Sequence, residues 1–320
     1  MHPHSARTSV FIALLSIGAL TASAQDLVFA DGFGSGDLWG WSEFPGGSTA
    51  VGACPTEVTV RGAAFFVDPI LGDDVTGDGS AGNPWASIQS VVNTKVDCTD
   101  RYGTPRNPGA PVKGGDAIVL VGAVGHTQNL EITGCYNPAW VTIRAETPHQ
   151  PELASVHFRG SGFWRLDGLS FFNDGNGTMV RVEDHSTQGP ARNIRLVNNR
   201  FTSGDLPTIQ DWVDHVSDAM RLYVDEGPLV ARCNEMVNVA MGFVVGGSHT
   251  DIIGNTIEYF SRDGIATGGH FNRFIGNRIY DSVKLGDGHH DDFFQSHMGA
   301  NPDLSSDVEI TGNIFMNRYG

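Results

Sequence analysis

The residues best suited to chemistry lie in one polar stretch of the chain, GDGHHDDFFQSH at positions 286–297. Its candidate site residues are Asp287, His289, His290, Asp291, Asp292, Gln295 and His297. Imidazole and carboxyl groups can transfer protons, and carboxylate oxygens are ligands that Ca²⁺ prefers. The stretch is therefore a candidate catalytic or glycan-binding site. A solvated turn and a structural calcium site remain as alternatives.

A second polar segment has a similar composition. Residues 204–218 read GDLPTIQDWVDHVSD, and their candidate site residues are Asp214, His215 and Asp218. Arg221 follows this segment, and Lys284 precedes the first stretch. Lys284 is notable because the whole chain has only three lysines. Both segments can thus supply acids, bases and cations to one site.

A repeat in the sequence indicates the structural elements that must position these residues. Similar phrases recur around five asparagines, at Asn199, Asn234, Asn255, Asn277 and Asn313. The intervals are 35, 21, 22 and 36 residues, so a unit of about 22 residues recurs and two units carry insertions. Periods of this length are typical of solenoids.

The segments between the asparagines favour an all-β chain. Short apolar runs at 114–123, 140–146 and 163–173 predict strands, and the 41 glycines suit frequent tight turns. One short helix is predicted near Pro84, and no crossover helices separate the strands. These features predict a parallel β-helix, in which each strand pairs with its copy one coil away. The asparagines then form a structural ladder, because asparagine tolerates left-handed backbone geometry and its amide can bond the next asparagine.

The repeat also predicts where the two polar segments lie. Counted from their asparagines, both are insertions that leave the same corner of the coil. The alignment stacks Asp218, Met241, Asp263 and Asp291 in one column. Because adjacent coils lie about 4.8 Å apart, Asp263 and Asp291 would be neighbours. Two carboxylates at that distance either raise one pKa or hold a cation between them.

The composition and the N-terminal segment indicate the cellular compartment of the protein and the kinds of partner it could have. Residues 1–24 read as a secretory signal peptide ending in Ala-Ser-Ala, and 25–62 as a glycine-rich lead-in. The formal net charge of −16 argues against nucleic acid and anionic membranes as partners. Four cysteines in an exported protein allow two disulfides. The three possible connectivities stay open: disulfides are expected among Cys54, Cys98 and Cys135 in the first half of the chain, and Cys233 is either a partner or a buried free thiol.

From Ala63 to its end the chain resembles the right-handed parallel β-helix superfamily with the pectin-lyase-like fold. The resemblance is carried by FVDPILGDD and GNPWASIQS, by GGDAIVLVGA, and by the repeated G-N phrases. It implies a right-handed parallel β-helix over 63–320 with an N-terminal cap. The last phrase, NIFMNRYG, ends within a coil, so further C-terminal coils are expected. The superfamily includes lyases, hydrolases, epimerases and non-catalytic surface proteins, and no single family's motif is matched.

The first hypothesis is a secreted polysaccharide lyase that acts by β-elimination. A cation or an arginine would neutralise a uronate carboxylate while a base removes the neighbouring proton. Calcium would be held by Asp263, Asp287 and Asp291, with His290 or Lys284 as the base and Arg221 or Arg262 assisting. The remaining candidates, which are His289, Asp292, Gln295, His297, His215 and Asp214, would bind substrate.

Two alternatives stay open. The first is a glycoside hydrolase with Asp291 as the acid and Asp263 or Asp218 as its partner. The second is a non-catalytic adhesin whose loops only bind a cell-surface glycan. For each of these readings we expect a monomer without a membrane span.

Overall fold

The described part of the chain is built almost entirely from short parallel strands. The computed structural model describes Cys54 and residues 62–122, 129–175, 177–296 and 305–318. The predicted signal peptide, His297 and nearly all of the lead-in lie outside these residues. Two helices, α1 (Ile88–Thr94) and α2 (Ile209–His215), have seven residues each. Neither has the length and apolar character that crossing a membrane requires.

The strands are numbered in chain order across three long sheets. Sheet I consists of β1 (Ala64–Val67), β2 (Ala117–Leu120), β4 (Tyr136–Ala145), β7 (Gly162–Asp167), β10 (Arg192–Val197), β13 (Leu229–Arg232), β16 (Thr250–Ile253), β20 (Arg273–Ile275) and β24 (Glu309–Thr311). Each strand is parallel to its neighbours in the sheet.

Sheets II and III have seven strands each. Sheet II consists of β5 (Glu152–Leu153), β8 (Ser170–Phe172), β11 (Arg200–Thr202), β14 (Glu235–Val239), β17 (Thr256–Phe260), β21 (Arg278–Ser282) and β25 (Ile314–Met316). Sheet III consists of β3 (Asn129–Thr133), β6 (Ser155–Arg159), β9 (Thr178–Glu183), β12 (Asp218–Tyr223), β15 (Phe243–Val245), β18 (Ile265–Thr267) and β22 (Phe294–Gln295). A further pair is formed by β19 (Gly269–His270) and β23 (Ser305–Ser306).

Each full coil passes through sheets I, II and III in turn, so the predicted parallel β-helix is confirmed. Alternation within strands sends apolar side chains inward and polar ones outward. In β12, Met220 and Leu222 are fully buried, whereas Arg221 and Tyr223 lie on the outer face. Stacked aromatic rings such as Phe171 and Phe201, 4.8 Å apart, continue this core from coil to coil.

The predicted asparagine ladder is confirmed. The side-chain oxygen of Asn277 accepts bonds from the backbone and side-chain nitrogens of Asn255, both at 2.9 Å. The same pair of bonds joins Asn199 to Asn234, Asn234 to Asn255, and Asn277 to Asn313. Each side-chain nitrogen also donates to a backbone carbonyl of the preceding coil, as Asn255 does to Ala231. The ladder thus satisfies buried polar groups at the corner between sheets I and II.

The expectation that the ladder asparagines themselves adopt left-handed geometry is wrong. The residue before each of them takes the positive φ, as Gly254 (62°) and Gly276 (62°) do. Cys233 (58°) and Asn198 (56°) occupy the same place in their coils. The preceding residue makes the bend, which frees the asparagine side chain to point inward and bond.

The N-terminal cap predicted from the sequence contains α1. Its apolar residues Ile88, Val91 and Val92 are buried, and Ser87 caps its first turn. Gln89 joins the helix to β3 through two bonds to the Glu131 backbone, at 2.8 and 2.9 Å. The Asp/Gly loop that precedes α1 is tied up internally, since its aspartates accept bonds from nearby backbone amides. The loop is therefore a turn-rich connection.

Both disulfides form, but one pairing differs from expectation. Cys98 bonds Cys135 within the N-terminal region, and Cys54 bonds Cys233. The alternative of a free Cys233 is wrong because Cys54, although distant in sequence, lies beside the corner that Cys233 occupies. Two disulfides are typical of proteins outside the reducing cytoplasm.

The two polar insertions leave the same corner, between sheets II and III, as predicted. The first contains α2, which starts with a capping box formed by Thr208 and Asp211. An apolar cluster outside the main core joins both insertions to the scaffold. It contains Leu206, Trp212 and Val216 from the first insertion, Val283 and Leu285 from the second, and Ala240 and Tyr259 from the coils between. The insertions therefore form one projecting structure.

We expect Asn255→Ala to lower the free energy of unfolding by roughly 2–5 kcal/mol. It leaves donors of Asn234 buried without partners, and each such group costs about 1–3 kcal/mol. Chemical denaturation followed by circular dichroism measures the change. The matched control is Asn93→Ala on the exposed face of α1, which should shift stability by less than about 0.5 kcal/mol. Equal effects of both substitutions would contradict a structural ladder.

Candidate active site

A column of three carboxyls and one thioether begins sheet III beside the insertions. Backbone bonds set its register: Gly242 N donates to Asp263 O at 3.1 Å, and Gly264 N donates to Asp292 O at 2.9 Å. The pairing of β12 with β15 continues the column to the preceding coils. Its members are Asp218, Met241, Asp263 and Asp292.

The predicted place of Asp291 in this column is wrong by one residue. Ile265 pairs with Phe294, so Asp292 and not Asp291 follows Asp263. Phe293 and Phe294 are both apolar, and the sequence pattern fits either register. In the fold both rings find partners, Phe293 against Phe260 at 5.4 Å and Phe294 against Phe274 at 5.1 Å. A shift of one residue sends a side chain to the opposite face, so Asp291 leaves the column.

Asp263 lies in a half-enclosed position that favours its protonated form. The residue is 7% exposed, and burial raises the pKa of its carboxyl above the ordinary value of 3.8. The nearby Asp292 carboxyl adds to this rise. The Asp292 backbone amide donates to Asp263 Oδ1 at 3.3 Å, which opposes the rise. A raised carboxyl pKa is a property that a general acid needs, so Asp263 is a candidate for that role.

Asp218 is also buried, but it has a cationic partner. Burial raises the pKa of its carboxyl, and the guanidinium of Arg221 opposes that rise. Arg221 donates from Nε at 2.7 Å and from Nη2 at 2.6 Å, both to Asp218 Oδ2. The pair is thus an ion pair at the edge of sheet III, and it brings together two of the predicted site residues.

Two open clefts lie above this column and share part of their lining. Met241 and Arg262 line both of them, with Asp263 in the first cleft and Asp218 in the second. The charge of Arg262 opposes the rise in pKa of both carboxyls. The clefts are therefore neighbouring compartments of one groove between the insertions.

The first cleft is mainly polar. It has a volume of about 440 Å³, and His289, His290 and Gln295 line it together with Asp263. The His290 side chain is 79% exposed, with Nδ1 3.8 Å from Asp292 Oδ2. The fold thus brings four predicted residues of the 286–297 stretch to the column, namely His289, His290, Asp292 and Gln295.

The second cleft has a volume of about 380 Å³ and a mixed lining. Its charged members are Asp218, Arg221, Arg262 and Asp287. Its apolar members come from the insertions and the adjacent coil, namely Trp212, Val213, Val216, Ala240 and Leu285. These apolar members were not predicted from the sequence. Their signal is the apolar spacing in IQDWV, which marks α2 as amphipathic.

Besides Asp291 and Asp292, three predicted site residues line neither cleft. Asp214 accepts a bond from Gln210 along the exposed side of α2, and the His215 ring lies 3.2 Å from the backbone oxygen of Asp174. Lys284 is exposed and lines neither cleft. These three residues therefore have no direct role that the geometry supports.

The three predicted calcium ligands differ in their position relative to the clefts. Asp263 lines the first cleft, Asp287 lines the second, and Asp291 lines neither. Among the described residues, no three His, Cys, Asp or Glu side chains are arranged to hold a metal ion. Calcium binding stays a prediction, and no chemical step is assigned to a metal here.

Comparison with known proteins gives likeness at low identity. No family model matches the chain, and no curated protein does. Among solved structures, a rhamnogalacturonan lyase is 11% identical with a TM-score of 0.45, over 81% of this chain and 64% of that one. A GH136 lacto-N-biosidase from Eubacterium ramulus is 11% identical with a TM-score of 0.30, over 80% of this chain and 68% of that one. Neither likeness assigns an activity to this chain.

We expect the Asp263 carboxyl to titrate above pH 3.8. Its resonance, assigned by its loss in Asp263→Asn, can be followed by carbon NMR. Because the folded state binds this proton more tightly, its contribution to stability is complete below pH 3.8 and is lost as the pH rises through the folded pKa. Asp263→Asn should therefore gain stability relative to the wild type as the pH rises through that window. A midpoint at or below 3.8 would contradict the assignment.

Proposed function

We propose that this protein is a carbohydrate-active enzyme that hydrolyses a polysaccharide bound in the groove between the insertions. The observation that carries the proposal is the pair of buried carboxyls, Asp218 and Asp263, which lie in one column at the start of sheet III and line an open groove. The two disulfides fit action outside the cytoplasm, where such polymers are found.

Asp263 is assigned as the general acid. Burial raises its pKa, so that its carboxyl keeps a proton at a higher pH than an exposed aspartate does. The Asp292 amide occupies Oδ1, which leaves Oδ2 as the oxygen that carries the proton. A raised carboxyl of this kind protonates the leaving oxygen of a glycosidic bond.

Asp218 is assigned as the general base. Burial raises the pKa of its carboxyl, and the ion pair with Arg221 opposes that rise by stabilising the carboxylate form, which can accept a proton from water. Two coil steps separate it from Asp263, or about 9.6 Å between backbone positions. Carboxyl groups about 6.5–9.5 Å apart leave room for a water and give inversion at the sugar carbon. The thioether of Met241 lies between them as an apolar floor for the sugar ring.

The reaction balances with water as the only co-substrate. Asp263 donates its proton to the glycosidic oxygen as the bond from that oxygen to the anomeric carbon breaks. Water attacks the anomeric carbon from the opposite face, and Asp218 takes the proton that the water loses. Proton exchange with solvent then restores the starting forms of both carboxyls.

Arg262 favours β-elimination as a second candidate. Its guanidinium lies between the two clefts and could neutralise a uronate carboxylate without a metal. The exposed imidazole of His290 would then remove the neighbouring proton as the base. This route needs an acidic polymer, whereas hydrolysis does not.

The test is a panel of neutral and uronate-containing polysaccharides. On the polymer that the wild type cleaves, Asp263→Asn and Asp218→Asn should each lower kcat by about 10²–10⁴-fold. The matched control is Asp205→Asn, an exposed aspartate of the first insertion outside both clefts, which should retain activity. Reducing ends should appear without an unsaturated product, and proton NMR should show inverted configuration in the first product.

Other outcomes would change the assignment. If the configuration at the sugar carbon were retained, the second carboxyl would be assigned to Asp292 and not to Asp218. Asp292 lies one coil from Asp263, which is nearer the spacing of retaining enzymes. An unsaturated product lost in Arg262→Ala would favour elimination. Glycan binding without cleavage of any polymer would favour a binding protein and refute the enzyme.

A further inference from the structure

Apolar residues in the lining of the second cleft are open to a ligand. Val213 is 48% exposed and lines this cleft, whereas the helix neighbours Trp212 and Val216 are less than a tenth exposed in the apolar cluster beneath. Leu285 of the second insertion is half-buried in the same wall. The two insertions together therefore present an apolar surface to the groove.

Charged groups line the same small cleft. They include Asp218, Arg221 and Arg262, and the cleft volume of about 380 Å³ suits a single sugar ring. A ligand that fits must offer hydroxyl or amide groups to the charged residues and an apolar group to the apolar ones. Burying a hydroxyl against Val213 would cost its hydrogen bonds to water, whereas burying a methyl group is favourable.

The first cleft lacks these apolar residues of the insertions. Arg262, Asp263 and two imidazoles give it a polar lining, and Met241 is its apolar member. The two neighbouring sugars of a bound chain would thus meet different surroundings. The second cleft can therefore select a different kind of sugar from the first cleft.

We propose that the second cleft selects a sugar that carries a methyl-bearing substituent, which packs against Val213 and Leu285. An acetamido group, an acetyl ester or the methyl of a 6-deoxy sugar supplies the same chemistry. The inference rests on the proposed function, because it takes the occupant of the groove to be a sugar.

The test measures binding, so that it does not depend on catalysis. Three neutral pairs of probes differ in the substituent. They are methyl N-acetyl-β-D-glucosaminide against methyl β-D-glucoside, methyl 6-O-acetyl-β-D-glucoside against methyl β-D-glucoside, and methyl α-L-rhamnoside against methyl α-L-mannoside. NMR titration of the whole protein gives each Kd, and saturation transfer reports which ligand protons touch it.

At least one methyl-bearing probe should bind about 10-fold more tightly than its partner, with the strongest saturation transfer at its methyl protons. The pair that shows this preference identifies the source of the methyl group. Val213→Asn should abolish the preference. Val213→Thr keeps the side-chain shape and should weaken the preference. It tests whether the loss of the preference in Val213→Asn is caused by misfolding.

Ile209→Asn is the matched control. Ile209 lies one turn earlier on α2, is 50% exposed and does not line the cleft, so its replacement should keep the preference. The proposal is overturned by equal binding within all three pairs, by no binding of any methyl-bearing probe, or by a preference that survives Val213→Asn. Methyl preference without hydrolysis would refute the proposed reaction alone, and hydrolysis without the preference would refute this inference alone.

Discussion

Pairing between neighbouring coils is the constraint on which the other features depend. Each strand finds its hydrogen-bond partners one coil away, and the buried asparagine ladder holds the same corner in every coil from Asn199 to Asn313. Side chains at equivalent positions are therefore spaced in whole steps of about 4.8 Å. The distance between Asp218 and Asp263 is set by this step, so the scaffold fixes the separation of the two carboxyls before any loop contributes.

The insertions add what a regular solenoid lacks, which is a concave surface. A smooth outer face would leave the carboxyl column open to water. Helix α2 and the 284–292 segment rise beside the column, and a small apolar cluster centred on Trp212 makes them one body. The partial enclosure raises the pKa of Asp263, and the insertions add apolar residues to the lining of the groove. Scaffold and insertions thus contribute separately, the first to spacing and the second to environment.

Features with a regular period could be predicted from the sequence. The five asparagines indicated the fold, the ladder and the shared corner of both insertions, because each coil repeats the same local chemistry. Features for which the sequence fits two arrangements equally well could not be predicted. Two adjacent phenylalanines fit either register, so the sequence could not decide whether Asp291 or Asp292 enters the column. The pairing of Cys233 depends on Cys54, which is distant in sequence. The apolar lining of the second cleft depends on contact between the two insertions.

The bond between Cys54 and Cys233 changes how the solenoid can come apart. In a simple repeat protein each coil contacts only its neighbours, and the ends can fray one unit at a time. Here Cys54 precedes β1, while Cys233 follows β13, the sixth strand of sheet I. The bond ties these coils into a closed ring of chain 179 residues long. Loss of any coil within the ring leaves its ends fastened, so these coils should open as one cooperative unit, and fraying should be confined to the coils beyond Cys233.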